Sequence, residues 1–102
     1  MKPKTEPIYE LKEKPAAEVV VGEIVFVPAW EEKYDFYSFQ RKYKKGTRAY
    51  QDICNTLIGK CGYRVRKTLD KFIVLYPLAK TRIDTRLLWI AESSVISTGV
   101  IS

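Results

Sequence analysis

The sequence predicts an α+β fold, an antiparallel sheet of four to five strands with helices on one face, arranged as two related ββα halves. Three observations lead there. Runs rich in β-branched residues, closed by Gly or Pro, recur along the chain; the stretches after Trp30 and Thr47 switch to a helical period; and the chain aligns with itself at an offset of 49 residues. With 102 residues, 46% of them hydrophobic, it is long enough for one core and too apolar for a disordered chain. The expected organisation is a single domain over 1–102, with halves 8–46 and 60–102 joined by a helix over 48–59.

Residues 1–7 carry Pro3 and Pro7, which remove backbone donors. Ile8 to Lys12 then alternates in face and predicts a short edge strand, ended by Pro15. The β-branched run from Val19 to Val27 predicts a second strand, bent at Gly22 and closed by Pro28. From Trp30, the residues Trp30, Tyr34, Tyr37 and Arg41 fall on one helical stripe with Phe36, Phe39 and Tyr43 beside it, a helix over 30–44. Acidic Glu31, Glu32 and Asp35 open it and basic residues close it, as the backbone dipole prefers. Gly46 stops it, and Thr47 caps the next segment, where Ala49, Tyr50, Ile53, Cys54, Leu57 and Ile58 make the clearest amphipathic helix of the chain.

Two strands follow, 63–67 with Tyr63 and Val65 alternating against Arg64 and Arg66, and the more apolar 71–77. Thr81 with Asp84 three residues on resembles a capping box, and Ile83, Leu87, Ile90 and Ala91 predict a helix over 82–91. The tail alternates Val95 and Ile96 with serines and predicts a final edge strand.

At the 49-residue offset, residues 24–39 lie over 73–88, with Ile24/Ile73, Val25/Val74, Pro28/Pro77 and Asp35/Asp84 identical. Two strand–strand–helix units packed as a pseudo-dimer would leave a cleft at their junction, and such clefts are favoured binding places. Trp30, Tyr34, Tyr37, Tyr76 and Trp89 are the candidate residues for a protein or peptide partner in that groove, because aromatic side chains supply rigid contact area.

Charge points to an alternative. The net charge is +6, yet residues 33–67 alone hold ten basic and two acidic side chains. Within 34–48, five aromatics interleave with Arg41, Lys42, Lys44, Lys45 and Arg48, and Arg64, Arg66 and Lys67 follow on a strand. Aromatic faces stack bases and cations neutralise phosphates, so this patch is the candidate for nucleic-acid binding.

Catalytic chemistry is not indicated. There is no histidine, phosphate loop, nucleophile elbow or CxxC pair. The acidic residues near Trp30 are accounted for by a helix N-terminus, so neither a metal nor a cofactor is expected. Cys54 and Cys61, seven residues apart on one continuous helix, would lie roughly 10 Å apart and remain thiols; a bridge requires the chain to turn back at Gly59 or Gly62. No apolar run reaches the roughly 18–20 residues of a membrane helix, and the charged N-terminus does not read as a signal peptide. The expectation is a soluble, intracellular, non-enzymatic binding protein.

Small size, enrichment in Lys, Tyr, Ile and Val, absence of histidine and absence of familiar motifs together resemble the orphan proteins of filamentous viruses that infect hyperthermophilic archaea. The similarity is one of texture over the whole chain and carries no functional residue. It implies an accessory, non-catalytic role in the host cytoplasm, and it favours an oxidised Cys54–Cys61 pair.

Overall fold

A computed structural model describes residues 9–28, 36–79 and 86–100. Six strands, β1 (Tyr9–Pro15), β2 (Ile24–Phe26), β3 (Tyr63–Thr68), β4 (Phe72–Pro77), β5 (Leu87–Ile90) and β6 (Ser94–Val100), form one antiparallel sheet in the order β1-β6-β2-β3-β4-β5. Two helices, α1 (Phe36–Lys42) and α2 (Arg48–Cys61), lie between β2 and β3 in sequence. The class is α+β, with a larger sheet than the sequence suggested.

The sheet cannot be flat. β5 and β6 are four places apart in the order and are joined only by Ala91–Ser93. Four flat spacings of ~4.8 Å come to ~19 Å, and the link reaches at most about 14 Å. The antiparallel order also makes β5 and β6 run in the same sense, so an untwisted sheet would put the end of β5 and the start of β6 at opposite ends. The sheet therefore coils on itself. Two hydrogen bonds hold the closure: Ala16 N–H donates to the Ser93 carbonyl at 2.7 Å, and Trp89 Nε1 donates to the Ser94 carbonyl at 3.1 Å.

Coiling gives an inner and an outer face, each with its own apolar cluster. Val25, Val65, Ile73, Leu75 and Val95 fill the inside, closed by Ala16 and Val19 from the 3₁₀ turn Ala16–Glu18 and its exit. On the outside, Leu11, Phe26 and Ile96 from β1, β2 and β6 pack against Phe36, Phe39, Tyr50, Cys54 and Leu57 of the helices. No residue of β3, β4 or β5 belongs to that outer cluster. The helices thus cover one half of the outer face, not all of it.

α2 begins where Thr47 Oγ1 accepts the Tyr50 N–H at 3.2 Å, the side-chain cap its sequence predicts. It ends at Gly62, whose N–H donates to the carbonyls of Leu57 and Ile58. A Cβ on Gly62 would stand 2.7 Å from the Ile58 carbonyl oxygen and 3.2 Å from Leu78 Cδ1, so only glycine fits between helix and strand. Gly22 and Gly46 adopt φ of +94° and +87°, the left-handed region open to glycine in the turns before β2 and α2.

Several expectations are corrected. The helix over 82–91 is replaced at 87–90 by β5: Leu87 and Trp89 turn inward while Leu88 and Ile90 turn outward, and the open edge of β4 supplies backbone partners that override a helical spacing. The tail is no edge strand, since β6 sits between β1 and β2. The long strand ending at Val27 shrinks to Ile24–Phe26, because the chain leaves the 3₁₀ turn at Val19 and reverses at Val21–Gly22. Among the described residues the two expected halves differ in topology: β3 and β4 are neighbours, whereas β6 separates β1 from β2, and β5 occupies 87–90 of the span expected to be the second helix. The 49-residue match reflects shared local grammar, a β-branched strand ended by proline. Ile8, the acidic residues Glu31, Glu32 and Asp35, and the Thr81–Asp84 cap lie outside the described residues.

Glu23 joins three segments. Its carboxylate pairs with Lys14 Nζ at 2.7 Å and accepts Ser97 Oγ–H at 2.6 Å and the Val20 N–H at 3.1 Å. Burial acts to raise its pKa, but the hydrogen bonds from Lys14, Ser97 and Val20 outweigh burial and hold it below the ordinary 4.5. A carboxylate whose folded pKa is depressed stabilises the fold at neutral pH, and that stability is lost as pH falls through the lowered value. Glu23→Gln is expected to lower stability by about 1–3 kcal/mol at neutral pH, with the gap from the parent closing as acid protonates the parent's Glu23; denaturant unfolding at several pH values measures it. Gly62→Ala is expected to cost about 1–3 kcal/mol through overpacking, read as a lowered thermal midpoint.

Candidate functional site

The half of the outer face that no described helix covers is built by β3, β4 and β5. Register places Arg64 opposite Tyr76 and Val74 opposite Leu88. Strict alternation along β3 would turn Tyr63, Val65 and Lys67 inward. The register shifts between Val65 and Lys67: Val65 pairs with Leu75, and Lys67 pairs with the next residue back, Val74. This β-bulge inserts Arg66 as an extra residue, so Arg66 and Lys67 both face outward, side by side.

Arg66 lies with its guanidinium 5.2 Å from the Tyr76 ring centroid, a cation–π contact that orients both groups. Around them is an open depression of about 690 Å³ lined by Arg66, Lys67, Leu69, Val74, Tyr76, Arg86 and Leu88. Among the described residues it holds three cations, one aromatic ring and no carboxylate. Arg64 stands next to Tyr76 and donates to the Gly22 carbonyl at 3.1 Å, which anchors it at the margin.

The other candidates are placed less favourably. Tyr37 is 59% exposed on α1 and donates to Glu13 at 3.2 Å, with its ring edge-on to Phe36. Trp89 faces the inner cluster, on the opposite side of the sheet from Tyr76. Trp30 and Tyr34 lie outside the described residues. With the two halves unlike in topology and Tyr76 and Trp89 on opposite faces, no single groove among the described residues joins the aromatic set. Of the helical cations, Lys45 is paired with Glu10 at 2.6 Å, which holds the Glu10 carboxyl below its ordinary range. Arg48 stands 3.9 Å from Asp52, and Lys42 lies over Tyr43 at 5.5 Å. Arg41 and Lys44 are exposed on or just after α1. The basic residues of 33–67 are therefore divided between the α1–α2 region and β3: Arg66 and Lys67 line the depression of about 690 Å³ beside Tyr76, whereas Lys45 lines a smaller one of about 230 Å³ with Tyr43 and Tyr50, where Glu10 is its partner.

Arg86 and Leu88 do not stand out in the sequence because the apolar run LLWI at 87–90 fits a helical stripe as well as a strand. Cys54 and Cys61 are both on α2 and in no disulfide, and the continuous helix keeps them apart. Burial pushes the Cys54 thiol up to about 11, and burial with Cys54 as neighbour pushes the Tyr50 hydroxyl up to about 12. Both stay protonated at neutral pH and belong to the outer apolar cluster. Among the described residues no group of three or more Cys, Asp or Glu is placed to hold a metal ion, and no helix is long and apolar enough to cross a membrane. No protein-family model, curated protein or solved structure matches the chain.

The cations of the depression carry little of the fold. Arg66→Ala with Lys67→Ala is expected to change unfolding free energy by no more than about 0.5 kcal/mol, as exposed surface positions do. Leu75→Ala, which empties the inner cluster behind them, is expected to cost about 2–5 kcal/mol. Thermal unfolding of the two variants separates surface from core.

Proposed function

We propose that the outer face of β3, β4 and β5 binds single-stranded nucleic acid. The observation that carries this reading is the bulge in β3, which sets Arg66 and Lys67 together beside the Tyr76 ring. Cations with no carboxylate among the described lining residues favour a polyanion. A half-buried ring and a guanidinium plane offer stacking surfaces to unpaired bases, whereas the bases of a duplex are already stacked on one another. Lys67 neutralises phosphates at the margin, and Arg66 presents its flat guanidinium from above Tyr76. The aliphatic lining of Val74 and Leu69 suits the edges of bases and sugars.

This reading retains the basic side chains of β3 and sets aside the peptide groove, because Tyr76 and Trp89 lie on opposite faces of the sheet. It is a binding role, with no bond made or broken.

Fluorescence anisotropy with labelled oligothymidine and oligouridine, a duplex of equal length and an oligoglutamate peptide tests it. Single strands are expected to bind more tightly than the duplex, with affinity falling as salt rises. Arg66→Ala and Lys67→Ala should each flatten the slope of log affinity against log salt by about 0.7. Tyr76→Ala should weaken binding by roughly tenfold or more at constant slope, since one stacked base contributes ~1–3 kcal/mol. No binding at low salt, a preference for the oligoglutamate peptide, or affinity unchanged in all three variants overturns the assignment.

A further inference from the structure

The two edges of the sheet are built differently. β1 forms one of them with the sequence YELKEKP: Glu10, Lys12 and Glu13 are exposed, and Pro15 ends the strand. Charge and proline of this kind discourage a further strand from adding. β5 forms the other with LLWI, four apolar residues without a charge, of which Leu88 is 58% and Ile90 52% exposed. Phe72, opposite Ile90 on β4, extends the same exposed apolar strip.

The backbone direction at this edge follows from one bond. Ala91 N–H donates to the Lys71 carbonyl at 2.9 Å. Alternation then turns the polar groups of Leu87 and Trp89 toward β4 and those of Leu88 and Ile90 toward the open side. The Ile90 carbonyl accepts the Ser93 N–H at 2.9 Å and keeps a second lone pair for another donor.

We propose that β5 is a self-association edge, pairing antiparallel with β5 of a second copy of this chain about a two-fold axis through Trp89. In that register Leu88 faces Ile90 of the second copy, and Ile90 faces its Leu88, so the two exposed aliphatic side chains cover each other twice. The same two pairs exchange the edge N–H and carbonyl groups. Arg86 stands just before β5 and Glu92 in the turn just after it, so antiparallel pairing brings the Arg86 end of each copy toward the Glu92 end of the other. Both side chains are exposed, and neither is in an ion pair among the described residues. An axis through Leu88 would instead set Arg86 against Ile90 and forfeit both charge pairs. Trp89 turns into its own inner cluster and leaves the axis clear. A patch that meets its own image with opposite charges at its two ends is what an isologous two-fold contact requires. The axis stands perpendicular to the sheet, so both Arg66–Tyr76 surfaces emerge on the same side of the pair. Association itself needs no nucleic acid.

Sedimentation equilibrium of the full chain, without nucleic acid, over a wide range of protein concentration tests the proposal. The mass is expected to rise from one chain toward two. Leu88→Pro removes an N–H that points to the open side and spares the β4 bonds, and Ile90→Lys places a charge on the edge. Each should raise the dissociation constant by about tenfold or more, with circular dichroism unchanged. Glu92→Arg alone and Arg86→Glu alone should each weaken association, and the two together should restore it. Invariance of mass at one chain overturns the proposal, as does a dimer that none of these variants weakens. If Leu88→Pro disturbs the fold, the charge exchange decides alone: failure of the double variant to recover association overturns the register.

Discussion

The three-residue connection between β5 and β6 governs the architecture. It is too short to cross a flat sheet, so the sheet must coil, and coiling separates an enclosed inner face from an outer one. β6 then enters between β1 and β2, where it is the sole neighbour of β1. The N-terminal strand therefore has no place in the sheet until the C-terminal strand is in position, which makes the fold strongly non-local and its assembly slow relative to a helical bundle of this length. Glu23 fastens the same junction with a pair to β1 and a hydrogen bond to β6.

Uneven coverage of the outer face by the described residues leaves open the surface proposed here for binding. The aromatic and aliphatic side chains of α1 and α2 meet Leu11, Phe26 and Ile96, and leave the outer sides of β3, β4 and β5 uncovered by either helix. The inner cluster holds those strands from behind through Val65, Ile73 and Leu75, so their outer side chains are released from packing. On such a surface, apolar and cationic side chains can remain exposed over rigid backbone. A single added residue in β3 then decides its chemistry, because without the bulge Lys67 would turn into an apolar interior, where an unpaired ammonium is heavily penalised.

The sequence was most legible where local signals agreed with one another. Thr47, the apolar spacing from Tyr50 to Leu57, and Gly62 marked α2, and Tyr63 to Tyr76 marked β3 and β4 by alternation. Cys54 and Cys61 lie on one continuous helix, as the spacing predicts. Leu87 to Ile90 was misread because its apolar residues fit a helical stripe as well as a strand, and only the vacant edge of β4 distinguishes the two. The candidate site was half visible. Arg64, Arg66, Lys67 and Tyr76 were named from composition, but their assignment to two rival sites was not resolved, since the face a strand residue takes depends on a bulge and on what packs behind it.

The chain's own residues determined its class, its net positive charge, the clearer helix and the central hairpin, because caps, glycine turns and hydrophobic periods act over a few residues. Tertiary structure decided the strand order, the insertion of β6, the fate of residues 87–90 and the gathering of Arg66, Lys67 and Tyr76 on one uncovered face. Those depend on which backbone edges are free and on how far a three-residue link can reach, and such constraints exist only after distant segments have met.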